Sequence, residues 1–511
     1  MPDTIPGLLA AAAGREPDGT WLRADDGSTT FADAAATVAS LAARLDAAGV
    51  RRSDLVLVTA RTTPRYLLTW LALASLGAVT LPTDPRSRVA ELAGLVGQAR
   101  PGWAVTDTEL RAAVLETGLA AAVVLDVDEL VGDWTRAGGS DGLDLVGRVE
   151  PGDLAVLIPT SGTTGRSKLV MQTHRAYAFA GEGFPHWMEL TSADVLMTAL
   201  PLFHINAPAY SVMGSLAAGA GLVLLPRWSP AGFLDAARRF GATEFNAIGA
   251  MLEMLMRQPE RPDDADTPLR LCYTGPSPTR EWQEAFEGRF GLRVVCGYAL
   301  SESPYGLIWR HGTRPFGTLG SPRQHPRLGE VNHATVVDDA GVEVGVGGVG
   351  ELLLQNPVVT PGYWEMPEET AAALSDGWLR TGDLVRVDAD GTYTFVARRK
   401  EVLRRRGQIL SPAEVEDVLL AHPDVAEAAV VGVPSELTEE EVKAFVVTRP
   451  GRSLDLRELR AFTSARVSAF KVPRFWQIVD ALPRTPTQRV AKHRLPQGHP
   501  PDEFDAAAAA D

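Results

Sequence analysis

Thr160-Ser161-Gly162-Thr163-Thr164-Gly165-Arg166-Ser167-Lys168 is the stretch whose reading decides the fold. An apolar run over 154–158 leads into it, and Leu169-Val170-Met171 follows, with helix-forming residues beyond His174. That order predicts strand, loop and strand. Gly162 and Gly165 permit sharp turns, so successive backbone N–H groups converge on an anion. Thr160, Ser161, Thr163 and Thr164 add hydroxyl donors, and Lys168 adds a fixed positive charge. The set suits a polyphosphate. Its spacing is not G-x-x-x-x-G-K-[ST], so a Walker-type loop opening a helix is not expected. An ordinary polar turn needs neither the two glycines nor this density of hydroxyls and cations.

Outward from the loop, 511 residues exceed one ordinary core, so two or more domains are expected. A net charge of −15 argues against a nucleic-acid groove or an anionic membrane as partner. Cys272 and Cys296 each lie in an apolar run and are expected to be buried free thiols, as in a reducing compartment. Met1-Pro2-Asp3 lacks the basic region of a signal peptide, and a cytoplasmic location is expected. Two uncharged spans, 66–83 and 205–226, are interrupted by glycine and end like strands at Pro82 and Pro226. Each predicts a buried helix followed by a buried strand, not a membrane span.

In chain order, helices are expected at 4–14, 31–45, 63–76 and 87–98, with strands at 55–59, 79–82, 103–105 and 123–125. The alternation continues past the loop: helix 174–188, strands 195–200 and 222–225, helix 231–240, strands 243–248 and 270–274, helix 279–289, strand 292–296. Strands alternating with helices predict an α/β fold with doubly wound sheets. After residue 315, glycine and proline become dense and short β-rich runs appear at 334–337, 350–355 and 393–397. A compact α+β pattern follows: helix 412–421, strands 426–432 and 442–447, helix 455–466, strand 475–478. The expected division is a large domain over 1–397, with a β-rich subdomain over 315–397, and a small mobile domain over 398–499. Pro-, Asp- and Ala-rich residues 500–511 are expected to form a disordered tail.

From the phosphate loop onward the motifs resemble those of the adenylate-forming superfamily of acyl-CoA synthetases, peptide-synthetase adenylation domains and luciferases. Five motifs stand in the family's order between Thr160 and Arg489. Glu441-Val442-Lys443-Ala444-Phe445-Val446-Val447 is similar in texture to acyl-CoA ligases of the carnitine and crotonobetaine type. Pro201-Leu202-Phe203-His204 resembles the motif whose His gates the acyl and thiol sites. Tyr298-Ala299-Leu300-Ser301-Glu302 resembles Tyr-Gly-x-Thr-Glu, which implies that Tyr298 stacks on adenine, Ser301 contacts the α-phosphate and Glu302 holds Mg²⁺. Gly275, in Thr274-Gly275-Pro276-Ser277, corresponds to the segment lining adenine. Trp378-Leu379-Arg380-Thr381-Gly382-Asp383-Leu384 matches the Thr-Gly-Asp stretch, so Asp383 is the expected partner of the ribose hydroxyls. Arg398 resembles the ribose-side arginine, Lys400 the hinge and Gly407 the glycine of the thioester-forming loop. The sequence departs from the pattern near its end. Pro483-Arg484-Thr485-Pro486-Thr487-Gln488-Arg489 has Arg489 in place of the family's catalytic lysine, with Lys492 three residues on. Arginine keeps the charge but presents a longer, planar fork.

The resemblance implies a two-step ligase that uses ATP and Mg²⁺ to activate a small or medium organic acid as an acyl-adenylate, releases pyrophosphate and transfers the acyl group to CoA. Lys168, His204, Glu302 and Arg489 are its implied catalytic residues. The acid is expected to meet Phe203, Phe245, Asn246 and Tyr305, with Ala247, Gly249 and Trp309 nearby. Amino-acid-activating relatives place an Asp near position 246, so an ordinary α-amino acid is disfavoured. Three alternatives stay open: transfer to a carrier-protein thiol, activation of nitrite for attack by an aryl amine, and a non-catalytic nucleotide-binding relative. Oligomeric state is not legible.

Overall fold

The computed structural model describes residues 3–136, 144, 146–160, 167–275, 277–399, 403–405, 408–434, 440–484, 490–496, 498, 500 and 503–506. The chain divides into two compact units. One comprises Met1–Thr335, Leu353–Thr381 and Asp390–Tyr393; the other comprises Val336–Leu352, Gly382–Ala389 and Thr394–Asp511.

The first unit is built on two sheets. The six-stranded sheet runs, in spatial order, Val124–Asp126, Trp103–Thr106, Leu55–Thr59, Val79–Pro82, Leu154–Thr160, Lys168–Thr173. Its strands are parallel except the last, which turns back antiparallel to Leu154–Thr160. The nine-stranded sheet has a parallel centre of Arg293–Tyr298, Leu271–Thr274, Glu244–Asn246, Val195–Thr198, Gly221–Leu224 and Thr20–Ala24. Helices join the parallel strands, as crossovers between such strands require. This is the α/β doubly wound architecture that the strand–helix alternation predicts.

Local chemistry sets the helix ends. Thr4, Thr30, Thr63, Thr173 and Thr279 each accept a backbone N–H three residues on, capping helices Ile5–Arg15, Phe31–Ala48, Pro64–Leu76, His174–Met188 and Arg280–Phe290. Such a cap is worth about 1 kcal/mol. Both uncharged spans become a buried helix and then a strand: Pro64–Leu76 before Val79–Pro82, and the helical run from Ala207 to Ala218 before Gly221–Leu224. No described helix is long and apolar enough to cross a membrane. Cys272 and Cys296 are buried free thiols.

Several elements escape the sequence pattern. The hairpin of Thr20–Ala24 and Gly27–Thr30 carries too few apolar residues to stand out. Trp378–Val387 forms a ten-residue strand, although its glycine and charges interrupt any apolar run. Its start pairs antiparallel with Leu374–Ser375.

The second unit contains a four-stranded sheet in the order Val425–Pro434, Glu440–Thr448, Phe475–Ile478, Phe504–Asp505, with helices Pro412–Leu420 and Leu456–Ser464. The last strand corrects the expectation of a disordered tail from residue 500. Glu503 lies 2.5 Å from the buried Lys443 Nζ, and Arg474 donates twice to Asp505 at 3.1 and 3.0 Å. Composition alone gives no sign that these two acids have buried or paired cations waiting for them.

Candidate active site

Thr160 and Lys168 are directly opposed at the mouth of the hairpin that carries the quoted loop, and Thr160 Oγ1 donates to Lys168 O at 3.2 Å. Ser161, Gly162, Thr163, Thr164 and Gly165 lie outside the described residues, as do Lys400, Gly407 and Arg489. The hairpin therefore fixes the two ends of the loop and points Lys168 from its second strand.

Three chain segments meet beside Lys168. Segment 360–364 lies along strand Lys168–Thr173: Trp364 N–H donates to Leu169 O at 2.9 Å, Met171 N–H to Gly362 O at 3.0 Å, and Thr360 Oγ1 to Met171 O at 2.6 Å. Gly362 has φ +140°, and a Cβ there would stand 2.5 Å from Thr370 Cγ2, so the bend needs glycine. The same segment reaches the 298–307 turn, where Thr360 N–H donates to Glu302 O at 2.7 Å. Gln172 Nε2 adds a bond to Ser301 O.

The result is a row of three side chains. Lys168 Nζ sits 4.2 Å from the centre of the Tyr363 ring, and the Tyr363 hydroxyl donates to Glu302 Oε1 at 2.9 Å. Burial, and then the Glu302 charge, push the Tyr363 phenol well above its ordinary pKa, so it remains a donor. Sequence reasoning brought Lys168, Ser301 and Glu302 forward but passed over Tyr363 and Gln172. The one signal was Pro361-Gly362-Tyr363-Trp364, a glycine-hinged aromatic pair.

Among the described residues, no cluster of three or more His, Cys, Asp or Glu side chains could enclose a metal ion. Mg²⁺ beside a nucleotide needs no such cluster, because it takes one or two carboxylates and fills its shell with phosphate oxygens and water. Glu302, half-buried and with only Oε1 engaged by the phenol, is a donor of that kind.

Arg323 supports the turn from beneath. Its guanidinium is fully buried and donates to Leu307 O at 3.1 Å, Pro304 O at 3.3 Å, Tyr298 O at 3.4 Å and Tyr210 Oη at 2.9 Å. Tyr298 itself ends strand Arg293–Tyr298. Gly275 packs so closely on that strand that a Cβ would meet Gly297 O at 2.4 Å, so this position admits no side chain.

The expected acyl residues separate. The Phe203 and His204 rings lie 4.5 Å apart, and Asn206, two residues on, accepts from Asn246 Nδ2 at 2.8 Å. Just beyond, the backbone forms a π-helical turn over Ala207–Val212, a geometry often found at functional sites. Phe245 does not join them. On strand Glu244–Asn246 it takes the opposite face from Asn246 and packs edge-on against Phe233, 4.9 Å away. Alternation along a strand forbids both from lining one pocket. Tyr305 is fully buried between Phe179 and Trp187 at 4.6 and 4.8 Å, and Trp309 Nε1 is held by Thr318 O at 3.0 Å.

In the second unit, Asp383 is fully buried and pairs with Arg398 Nε at 2.7 Å. The next arginine, Arg399, turns to Glu351 and Asp339 at 2.6 and 2.8 Å. Lys492 Nζ lies 2.7 Å from Glu416 Oε1.

Comparisons with known proteins agree on one kind of enzyme. The family profile described as AMP-binding enzyme matches residues 9–364, and that of the AMP-binding enzyme C-terminal domain matches residues 414–489. The crotonobetaine/carnitine–CoA ligase of Salmonella paratyphi C is 31% identical over 468 residues, covering 88% of this chain and 89% of that protein. The crystal structure of ATP-bound MatB from Rhodopseudomonas palustris superposes with a TM-score of 0.85 at 26% identity, covering 96% of this chain and 98% of that one. The o-succinylbenzoate CoA synthetase of Bacillus subtilis, in complex with its acyl-adenylate intermediate, gives 0.85 at 25% identity with the same two coverages.

Proposed function

This chain belongs to the AMP-binding enzyme family, and from that premise we propose that it is an AMP-forming acid–CoA ligase acting on a small or medium organic acid. A carboxylate oxygen of the acid attacks the α-phosphorus of ATP and pyrophosphate leaves. The thiol of CoA then attacks the acyl carbon and AMP leaves. The observation that carries this reading is the meeting of Lys168 and Glu302, distant in sequence, at the ring face and the hydroxyl of Tyr363. One cation for phosphate oxygens and one carboxylate for a phosphate-bound metal is the pair that phosphoryl chemistry needs.

In the first step Lys168 and the N–H groups of the loop hold the phosphates, and Glu302 orients the metal side of the nucleotide. Bound Mg²⁺ would supply charge neutralisation at the phosphate oxygens. Arg489 supplies a cation beside the α-phosphate, and Asp383 with Arg398 receives the ribose. Preorganised charge of this kind acts where negative charge builds up. Residues 398–499 turn about Lys400 between the two steps.

The acid site is neutral where amino-acid-activating relatives carry a carboxylate. Asn246 is buried and gives its Nδ2 to Asn206, so nothing at that position pairs with a substrate ammonium. The Salmonella relatives are named for crotonobetaine and carnitine, and these acids head the panel that tests the reading. ATP-dependent pyrophosphate release is measured with each acid, then with CoA added. An acid that drives release and yields an acyl-CoA supports the ligase. Release that leads to product only with a carrier-protein thiol reassigns the acceptor, and release driven by no carboxylic acid overturns the reading.

A further inference from the structure

Tyr363 belongs to none of the motifs that identify the site, yet it touches two residues that do. The residue is only 7% exposed. Its hydroxyl is spent on a carboxylate that the metal side of the nucleotide requires, and its face lies under the ammonium that the phosphates require. We propose that Tyr363 is a positioning residue that holds the Glu302 carboxylate and the Lys168 ammonium apart and aimed at one Mg·nucleotide. The inference rests on the proposed roles of Glu302 and Lys168.

Two features of the geometry support it. A carboxylate that accepts from a fixed phenol loses its freedom to rotate, so one oxygen is committed to the tyrosine while the other stays available to a cation. Such partners of metal-binding carboxylates commonly set metal affinity. The second feature is separation of charge. Lys168 rests on the ring face while Glu302 meets the hydroxyl at the ring edge. A direct pair between the two would neutralise both charges and occupy the groups meant for phosphate and metal. The aromatic face attracts the ammonium and keeps it from the carboxylate.

The tyrosine is itself held firmly. Its N–H donates to Thr370 Oγ1 at 3.0 Å, and the residues on either side of it, Gly362 and Trp364, are tied to strand Lys168–Thr173. Thr360 binds the Glu302 carbonyl. The backbone that carries Tyr363 thus spans the same two segments that its side chain bridges.

The test uses the full-length protein with a non-cleavable ATP analogue. Mn²⁺ binding is followed by electron paramagnetic resonance, and metal-free nucleotide binding is measured in EDTA by calorimetry. Tyr363→Phe keeps the ring and removes the donor. It is expected to weaken Mn²⁺ about 10- to 100-fold and to leave metal-free nucleotide affinity within about twofold. Tyr363→Leu removes both and should also weaken metal-free nucleotide several-fold. In a Glu302→Gln background, Tyr363→Phe should add little, because the anionic carboxylate that it orients toward the metal is gone. If Glu302→Gln alone does not change Mn²⁺ binding, the role of Glu302 fails first. If it does and Tyr363→Phe binds Mn²⁺ like wild type, the inference is overturned. Equal losses with and without metal in Tyr363→Phe, or unchanged metal-free affinity in Tyr363→Leu, also overturn it. Loss of the folded state in both variants, read by circular dichroism, would make Tyr363 a packing residue.

Discussion

The guanidinium of Arg398 lies 2.7 Å from the carboxylate of Asp383, whose side chain has no exposed surface. A buried carboxylate is costly unless paired, and the guanidinium supplies that partner. The arginine side chain is itself 39% exposed.

Asp383→Ala should weaken ATP binding by about 10- to 100-fold, since charge-assisted hydrogen bonds are worth about 1.5–3 kcal/mol each. The half-exposed Arg398 regains water, so the variant should stay folded. Calorimetric titration with ATP checks this, and an affinity equal to wild type would remove Asp383 from the nucleotide site.

Arg489→Ala should slow adenylate formation about 10²-fold or more, as loss of one charge-stabilising donor does. Conversion of a supplied acyl-adenylate should stay near the wild-type rate. Lys492 is the control. Its ammonium is held by Glu416, which also accepts the Val430 N–H at 2.6 Å, so Lys492→Ala should leave both half-reactions nearly unchanged. Single-turnover assays of each half-reaction decide between them. A large first-step loss in Lys492→Ala with none in Arg489→Ala would move the catalytic cation three residues along.

Lys400→Pro restricts φ at the expected hinge. Pyrophosphate release should persist while transfer to CoA slows. Equal loss in both half-reactions would count against a hinge at this residue.

His174 opens helix His174–Met188 with no exposed surface, and among the described residues neither ring nitrogen has a hydrogen-bond partner. Burial lowers its pKa to about 4; Asp153 opposes the change and Arg52 adds to it. The unfolded chain takes up a proton near 6.5 that the folded chain refuses. Stability from this site is therefore complete above about pH 6.5 and declines as pH falls toward 4, by about 3 kcal/mol in all. His174→Leu should lose that part of the acid dependence. Thermal unfolding of both proteins between pH 4 and pH 7.5 tests it, and parallel pH profiles would show that His174 titrates as it does in water.

Much of this molecule is legible in the order of its residues because the signals are local. Short apolar runs place strands Leu55–Thr59 and Val79–Pro82 at their bounds, and Thr173 with its helix formers does the same for His174–Met188. The phosphate loop and the motifs at Phe203, Glu302 and Asp383 are likewise short, contiguous patterns. The roles given to the last three are what their resemblance to the adenylate-forming motifs implies.

Tertiary packing decided the rest. Phe245 and Asn246 adjoin in sequence, yet the strand sends them to opposite faces, and only neighbouring elements show which face holds the site. Glu503 and Asp505 look like members of a disordered tail until Lys443 and Arg474 are brought beside them. Tyr363 reads as one aromatic among many, because nothing in its own segment announces a carboxylate and an ammonium from two distant stretches. A sequence records which groups a segment carries and how its backbone prefers to run. Which charges meet is fixed by long-range burial, and there the sequence alone has no say.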